Sequence, residues 1–488
     1  MSNLLTRRAM LAATAAGLGN VALAQAPLRS LRPEARAAAA SSGVKSAITA
    51  ASVVGAHKLS GLVGCALVDP LNGEILDQHF PELQLPPASV TKAITAAFGL
   101  QNLGPKYCFE TRLHVVGKVS EGLLRGDLML IGSADPTLHT DDLVRFAKAL
   151  HKTGIRRVEG RLLVVDDGFA YLREIDHNQL PQANYNPAVS GFNLNLNRVQ
   201  FEWERRANGR YDVSMHAPGH IYRPQIHSIQ MQTVARSSPS YTYAHSTSGE
   251  RWSVQRSALG KDGGRWLPTR NPRLYAGEAF QGICAEMGLI MPSPTVLHER
   301  YNEPAAAVEI ARKSSKPYTE ITRSMLKMST NLTAEVIGLT ASDAPNLERS
   351  VAVLTRFAEA HGMVVRLLDH SGLSDRSRLS AGGLARFMAW QYRNGLPDLL
   401  KHKVLRDRGK PIPDVQLRAK TGTLNFVSTM SGYLTHKGQT LGFAILTADL
   451  ERRARAQGSE RPRGAKSWEA RSRSLQHAVL RNWLKYLG

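Results

Sequence analysis

The stretch Pro86-Pro87-Ala88-Ser89-Val90-Thr91-Lys92 is the most informative part of this 488-residue chain. The two prolines interrupt the chain, and the Ala-rich residues 89–100 that follow are predicted to form a helix. Ser89 would then open this helix, where backbone N–H groups are free and developing negative charge is stabilised. Lys92 lies three residues further on, on the same helix face and within reach of the Ser89 hydroxyl. The spacing is compatible with a serine nucleophile beside a lysine base, but a single motif of this length is weak evidence.

The Ser-x-x-Lys motif and a second motif, Lys-Thr-Gly, each occur more than once in the chain. The sequence around each copy has to show which copy is functional. Ser-x-x-Lys also occurs at 42–45, in an Ala/Ser-rich leader, and at 324–327, in the middle of a predicted helix. Lys-Thr-Gly occurs at 152–154, where it ends a predicted helix and the glycine is an ordinary cap. Its second copy, Lys420-Thr421-Gly422, lies on a predicted strand, and Gly422 would leave room for a substrate backbone.

A third element, Ser329-Thr330-Asn331, lies between two predicted helices and alone would indicate no more than a helix cap. In the order Ser-x-x-Lys, Ser-x-Asn, Lys-Thr-Gly, the three motifs match the set of β-lactamases and penicillin-binding proteins. Ser89 and Ser329 are 240 residues apart. With this gap the chain resembles the class C low-molecular-mass penicillin-binding proteins, the D-Ala-D-Ala carboxypeptidase/endopeptidase family, over roughly residues 61–448.

The resemblance implies an α/β (α+β) fold. Its core would be a penicillin-binding, serine β-lactamase-like transpeptidase domain, an antiparallel five-stranded sheet flanked by helices, with a large β-rich insertion. The residue pattern agrees, since residues 61–80 form a predicted hairpin and residues 415–448 three predicted strands. The final helix, Leu475–Leu487, carries an apolar stripe suited to docking on the sheet. We expect an export signal in 1–24, a discontinuous catalytic domain in 25–104 and 301–488, and β-rich subdomains in 105–300.

The resemblance also implies roles for the motif residues. Ser89 would be the nucleophile, Lys92 the base, and Ser329 the relay that passes the proton to the leaving amine. Because Lys92 must be neutral to act, we expect burial and the nearby charge of Lys420 to lower its pKa.

Substrate contacts follow from the same resemblance. Asn331 would hold the substrate amide, Lys420, Thr421 and Thr423 would receive the terminal carboxylate of D-Ala, and the backbone N–H groups of Ser89 and Thr423 would form the oxyanion hole.

Asp166, at the end of the predicted strand 161–165, matches a family aspartate that approaches the amino group of the substrate's diamino acid. The alternative is that Asp166 and Asp167 only cap a turn. One departure concerns the family pattern Asp-Gly-Ser-Gly-Leu-Ser-Arg, which here reads Asp-His-Ser-Gly-Leu-Ser-Asp-Arg over residues 369–376. The arginine is therefore displaced by one position.

The N-terminus indicates export. Thr6-Arg7-Arg8 precedes a mildly apolar stretch, and Ala22-Leu23-Ala24 is a small-x-small cleavage site before Gln25. Paired arginines favour the twin-arginine route, while an ordinary amphipathic N-terminus is the alternative. We therefore expect a periplasmic protein.

The formal net charge of +22 is diffuse, and no helix-turn-helix, zinc-finger or RNA-binding signature accompanies it. Nucleic acid is therefore not an expected partner, whereas peptidoglycan is. The densest basic stretch, Arg452–Arg473, is predicted to be either a solvated loop or a peripheral contact with an anionic membrane surface.

Three functional classes stay open at this stage. The first is a DD-peptidase acting on peptidoglycan, inhibited and labelled by β-lactams, with the balance of carboxypeptidase and endopeptidase activity undetermined. The second is a β-lactamase or esterase, against which the insertion and the lack of an evident deacylating glutamate after Lys92 argue. The third is a noncatalytic wall-binding module, against which the intact Ser89 and Lys92 argue. No metal or organic cofactor is implied, and Cys65, Cys108 and Cys284 allow at most one disulfide.

Overall fold

The structure, a computed structural model, describes residues 48–166, 168–246, 249–297 and 304–487. The expected export signal, residues 1–24, lies outside this range. Within these residues, no helix combines the length and the apolar character needed to cross a bilayer. The first and last segments of the chain together form one part of the molecule. The segment between them forms an inserted part.

The first segment contains the predicted hairpin and the helix of the Ser89 motif. Its elements are α1 (Ala50–His57), β1 (Leu62–Val68), β2 (Ile75–His79) and α2 (Thr91–Leu103). Strands β1 and β2 pair antiparallel, as predicted. The helix α2 begins two residues later than expected, because residues 88–90 form a 3₁₀ turn.

The last segment is helical at first and then returns to the same sheet. Its helices and short strands are α5 (Tyr318–Met328), α6 (Asn331–Ser342), α7 (Leu347–Glu359), β15 (Val365–Arg366), β16 (Arg378–Leu379), α8 (Ala381–Gln391), α9 (Leu396–Leu399), β17 (His402–Lys403), β18 (Arg406–Asp407) and β19 (Lys410–Pro411). The long strands and closing helices are β20 (Val415–Leu424), β21 (Val427–His436), β22 (Gln439–Ala448), α10 (Leu450–Arg455) and α11 (Ala465–Trp483).

The central sheet joins the two segments, in the order β17-β20-β21-β22-β1-β2. Every neighbouring pair is antiparallel. The five long strands are those predicted, and the two-residue β17 adds a sixth at the edge. Strand β1 thus pairs with β22, nearly 400 residues away, so the two ends of the chain close one domain around the insertion.

Each face of this sheet is buried by helices, which explains why β1 and β22 are almost continuously apolar. Val63, Cys65 and Leu67 of β1 point to one face and pack with α1 and α11. Ala66 and Val68 point to the other face and pack with α2 and α8. This alternation is the ordinary two-residue period of a strand. The apolar stripe of α11 docks on the sheet, as the sequence predicted.

The middle segment is rich in strands and contains two long helices. Its elements are β3 (Glu110–Ser120), β4 (Leu123–Gly132), α3 (Thr140–Lys152), β5 (Arg157–Val158), β6 (Leu162–Asp166), β7 (Arg198–Arg205), β8 (Tyr211–His216), β9 (Ile229–Val234), β10 (Tyr241–Ser246), β11 (Gly249–Gln255), β12 (Asp262–Pro268), α4 (Pro272–Glu286), β13 (Pro294–Leu297) and β14 (Val308–Ser314).

These strands form one mixed sheet, β13-β6-β4-β3-β14 with β5 beside β4, and two three-stranded sheets, β12-β7-β8 and β10-β11-β9. The sheet includes β14, so the inserted part extends past residue 300, where the sequence placed its end. Helix α4 was not predicted, although Asn271 caps it and Pro272 is its first residue. All three cysteines lie within the described residues and are free.

Candidate active site

The Ser89 turn is held between the sheet and a loop of the last segment. Thr429 of β21 donates its hydroxyl to the Pro87 carbonyl at 2.8 Å. A Cβ on Gly372 would lie 1.8 Å from the Ala88 carbonyl oxygen, so only glycine lets this loop approach the turn. Ala88 itself has a φ of 49°, an uncommon conformation for a residue with a side chain. Packing from both sides therefore fixes the position of Ser89.

Gly422 lies against the Ser89 turn. A Cβ there would lie 2.6 Å from the Ser89 backbone nitrogen and 2.3 Å from the Thr429 hydroxyl oxygen. The glycine therefore makes room for the Ser89 turn against β20, and Gly422 is itself buried. This close approach brings the β20 motif and the backbone of Ser89 together.

The Ser329 motif reaches the same site from the junction of α5 and α6. Ser329 ends α5 with a φ of 60°, the left-handed conformation of a helix C-terminus, and Asn331 is the first residue of α6. Lys420 Nζ lies 2.9 Å from Ser329 Oγ. Asn331 donates its amide to the Tyr185 carbonyl of the inserted part at 2.8 Å, which orients its oxygen towards Lys92.

Lys92 is fully buried and its amine has three neighbours. Nζ lies 2.9 Å from Ser89 Oγ, 2.7 Å from Asn331 Oδ1 and 2.7 Å from the Ser371 carbonyl oxygen. The last two atoms can only accept hydrogen bonds. A neutral amine has two N–H groups for them and one lone pair, which then points at the Ser89 hydroxyl. The geometry therefore suits a lysine that takes the serine proton.

Burial lowers the pKa of Lys92 from 10.5 to about 7, while the negative charges of Asp369 and Glu335 act in the opposite direction. The pKa of Lys420 is also well below its usual value, because of burial first and then repulsion from Lys92 and Lys403. Burial is thus the main cause of the lowered pKa of Lys92. For Lys420, repulsion from Lys92 adds to the effect of burial on the pKa.

The motifs open on one cleft with a volume of about 510 Å³. Ser89, Ser329, Asn331, Lys420, Thr421 and Thr423 all line it. The inserted part adds Gln179 and Tyr185, and the basic stretch Arg452–Arg473 adds Arg453, within α10, and Glu460, after it. None of these last four was predicted. Tyr185 and Gln179 lie in a long loop without a motif, so only the distance in space reveals them.

A sequence model of the D-Ala-D-Ala carboxypeptidase 3 (S13) family matches residues 49–471. The chain belongs to this family.

The names of individual relatives agree with that assignment. A carboxypeptidase of Mycobacterium tuberculosis is 26% identical over 428 residues, which cover 82% of this chain and 79% of that protein. A D-alanyl-D-alanine carboxypeptidase of Actinomadura is 36% identical over 119 residues, only 24% of this chain and 22% of that protein. The predicted family is therefore confirmed.

The predicted fold is confirmed as well. The crystal structure of penicillin-binding protein 4 from Haemophilus influenzae superposes with a TM-score of 0.69 at 18% identity, covering 88% of this chain and 99% of that chain. A second structure of the same protein, described as a complex with a novel β-lactam, has a TM-score of 0.66. This S13 chain thus has a penicillin-binding transpeptidase-like domain with added β-rich domains.

Asp166 is not brought to the cleft of this S13 chain. It ends β6 as the sequence predicted, but its side chain is buried and forms an ion pair with Arg273 of α4 at 3.1 Å. Its second oxygen accepts the Gly191 backbone N–H at 3.2 Å. In this arrangement the carboxylate is committed to the core of the inserted part and does not face a substrate amine.

Two of the motif copies that context set aside lie as expected, and the third, residues 42–45, lies outside the described residues. Ser324 and Lys327 are exposed within α5, and residues 152–154 end α3. The basic stretch Arg452–Arg473 is not a loop throughout: it comprises most of α10, a turn, and the first half of α11. Among the residues that the structure describes, no group of three or more His, Cys, Asp or Glu side chains is placed to hold a metal ion.

Proposed function

We propose that this protein is a serine DD-peptidase that cleaves the D-Ala-D-Ala bond of peptidoglycan stem peptides through an acyl-enzyme on Ser89. The observation that carries the proposal is the placement of two hydrogen-bonded pairs, Lys92 with Ser89 and Lys420 with Ser329, on one cleft. The S13 assignment and the carboxypeptidase names of the relatives support it.

Acylation begins with proton transfer from the Ser89 hydroxyl to the neutral amine of Lys92. Ser89 Oγ then forms a bond to the carbonyl carbon of the penultimate D-Ala. The negative charge that develops on the carbonyl oxygen is received by the backbone N–H groups of Ser89 and Thr423. The closeness of Gly422 to the Ser89 backbone supports this pairing, because it brings Thr423 alongside the same turn.

The C–N bond breaks as the leaving D-Ala takes a proton at its nitrogen. Ser329, which contacts Lys420, is the proposed relay: it donates its hydroxyl proton to that nitrogen and takes up the proton that Lys92 received from Ser89. Lys420, Thr421 and Thr423 hold the terminal carboxylate of the leaving residue, and Asn331 holds an amide of the substrate. A bound carboxylate favours the protonated form of Lys420, whose pKa burial holds well below its usual value. Water then releases the acyl group by the reverse path.

The finer assignments belong to the same proposal. The protein would be exported through residues 1–24 and act in the periplasm, and β-lactams would acylate Ser89. The described β-lactam complex of the Haemophilus protein supports the last point. Cross-link endopeptidase activity is proposed beside carboxypeptidase activity, since the cleft of about 510 Å³ extends to Gln179 and Tyr185 of the inserted part.

The test compares two serines that share the Ser-x-x-Lys spacing. Ser89→Ala should abolish labelling by a fluorescent penicillin and release of D-Ala from a pentapeptide. Ser324→Ala, on the exposed face of α5, should leave both unchanged. Labelling that persists in Ser89→Ala would refute the nucleophile. Rapid turnover of penicillin without release of D-Ala would instead favour a β-lactamase on this framework.

A further inference from the structure

A buried acid–imidazole pair lies behind Lys92 and takes no part in the mechanism above. Glu335 of α6 and His370, in the loop before β16, are both fully buried. Glu335 Oε2 accepts the His370 ring Nδ1–H at 2.8 Å and the His370 backbone N–H at 3.0 Å. Glu335 is four residues after Asn331, so both side chains lie on the helix face that looks towards Lys92.

Three helices contact His370. His370 Nε2 lies 2.9 Å from the Ser350 hydroxyl of α7, and the His370 carbonyl accepts from Thr95 of α2 at 2.6 Å. On α6, a Cβ at Gly338 would lie 2.0 Å from the His370 ring. The ring therefore occupies space that only a glycine leaves open, and the pair depends on side chains from widely separated parts of the sequence.

The loop that carries His370 also carries a ligand of the Lys92 amine. Ser371 follows His370, and its carbonyl accepts from Lys92 Nζ at 2.7 Å. Asp369 precedes His370, and its carboxylate accepts from the backbone N–H groups of Ser371, Gly372, Leu373 and Ser374. The hydrogen bonds of Asp369 thus fix the backbone of the loop, and Glu335 links the loop to α6.

The titratable groups around Lys92 come from three elements: Glu335 on α6, Asp369 and His370 on the loop, and Lys420 on β20. Burial raises the pKa of Asp369 to about 6, with a further contribution from Glu335. Burial also acts to raise the pKa of Glu335, but the hydrogen bonds and charge of His370 outweigh it and hold that pKa below its usual value. Glu335 is therefore ionised while Lys92 titrates.

We propose that the Glu335–His370 pair is a positioning element for Lys92, which ties the loop that carries the Ser371 carbonyl to α6 and keeps a carboxylate behind the amine. The inference rests on the proposed function, since it concerns the base of that reaction. Neither residue touches the substrate, so its effect should be read from the pH dependence of acylation more than from its rate at one pH.

The acid limb of the pH–rate profile, where acylation slows as the pH falls, reports the protonation of Lys92. Glu335→Gln keeps an oxygen to accept from His370 and removes only the charge. Because a nearby carboxylate favours the protonated amine, the limb should move to lower pH, by about one pH unit. His370→Ala removes the donor that keeps Glu335 ionised, so it should move the limb in the same direction. The double variant should move it no further than Glu335→Gln does.

Rescue and control variants separate an effect on the pKa of Lys92 from a loss of stability. His370→Asn places an amide nitrogen near the position of Nδ1 and should bring the limb back towards that of the wild type. Asp135→Asn removes a buried carboxylate that pairs with Lys313 in the inserted part, and should lower the unfolding temperature without moving the limb.

An acid limb of Glu335→Gln that stays in place or moves to higher pH overturns the inference, whatever the stability of the variant. If that variant does not fold, an unmoved limb in His370→Ala does the same. These outcomes differ from failure of the proposed function, which would appear as a wild-type protein that β-lactams do not acylate at Ser89.

Discussion

Replacing Lys92 tests the central claim that a neutral amine activates Ser89. With a pKa of about 7, roughly half of the Lys92 side chains are neutral at pH 7. A lysine with a pKa of 10.5 would be neutral in only about one molecule in 3,000. Lys92→Arg puts a group that is always protonated in the same place. Lys92→Met keeps most of the side-chain length and has no base. Both should lower acylation by roughly 10²–10⁴-fold.

The wild-type pH profile follows from the same pKa. Below pH 7 the neutral fraction falls about tenfold for each pH unit, so the rate should fall likewise, and above pH 8 it should level off. The assay is the second-order rate constant for a fluorescent penicillin between pH 5 and 9, with thermal unfolding measured at each pH. Lys152→Arg, in the exposed Lys-Thr-Gly copy at the end of α3, is the control lysine outside the cleft. Acylation by Lys92→Met within tenfold of the wild type, or a flat profile between pH 5 and 7, would refute the reasoning.

Three further predictions concern other parts of the structure. Gly422→Ala should lower acylation by about 100-fold, because its Cβ would push β20 away from the Ser89 turn by a fraction of an ångström or more; acylation kinetics and the unfolding temperature check this. Asp166→Asn should destabilise the protein by roughly 3 kcal/mol, because it leaves Arg273 buried without its partner, and should affect peptides and β-lactams alike. Binding of the protein to anionic vesicles or sacculi should weaken with added salt if Arg452–Arg473 makes the contact.

Each of these has an outcome that contradicts it. Normal acylation by Gly422→Ala would mean that β20 adjusts without cost to the site. A loss confined to peptides with a free side-chain amine in Asp166→Asn would restore the substrate contact first expected of that residue. Vesicle binding that is the same at low and high salt, or after neutral replacement of the exposed arginines of this stretch, would leave the basic segment without a surface role.

Much of the fold was predictable because its signals are local. The strands of the central sheet alternate or run apolar over a few residues, the helices show a stripe at 3.6-residue spacing, and turns are marked by Gly and Pro. The order of the three motifs was enough to identify the family, since each motif keeps its own short spacing. Asp166 was placed correctly at the end of β6 for the same reason.

The direction in which a side chain points was not predictable, because it depends on distant partners. Asp166 turns to Arg273, 107 residues further on, in a helix that the sequence analysis did not find. Gly422 was expected to make room for a substrate, and its close approach to the Ser89 backbone, more than 300 residues away in the sequence, was not foreseen.

By itself, then, the sequence determined the family, the main elements and the residues that carry the candidate chemistry. Only the tertiary structure placed Lys92 out of water between Asn331 and Ser371, and only there does its pKa fall to about 7. The same holds for the Glu335–His370 pair, which no motif contains. Burial and charge are sums over neighbours from distant segments, and local spacing carries no record of them.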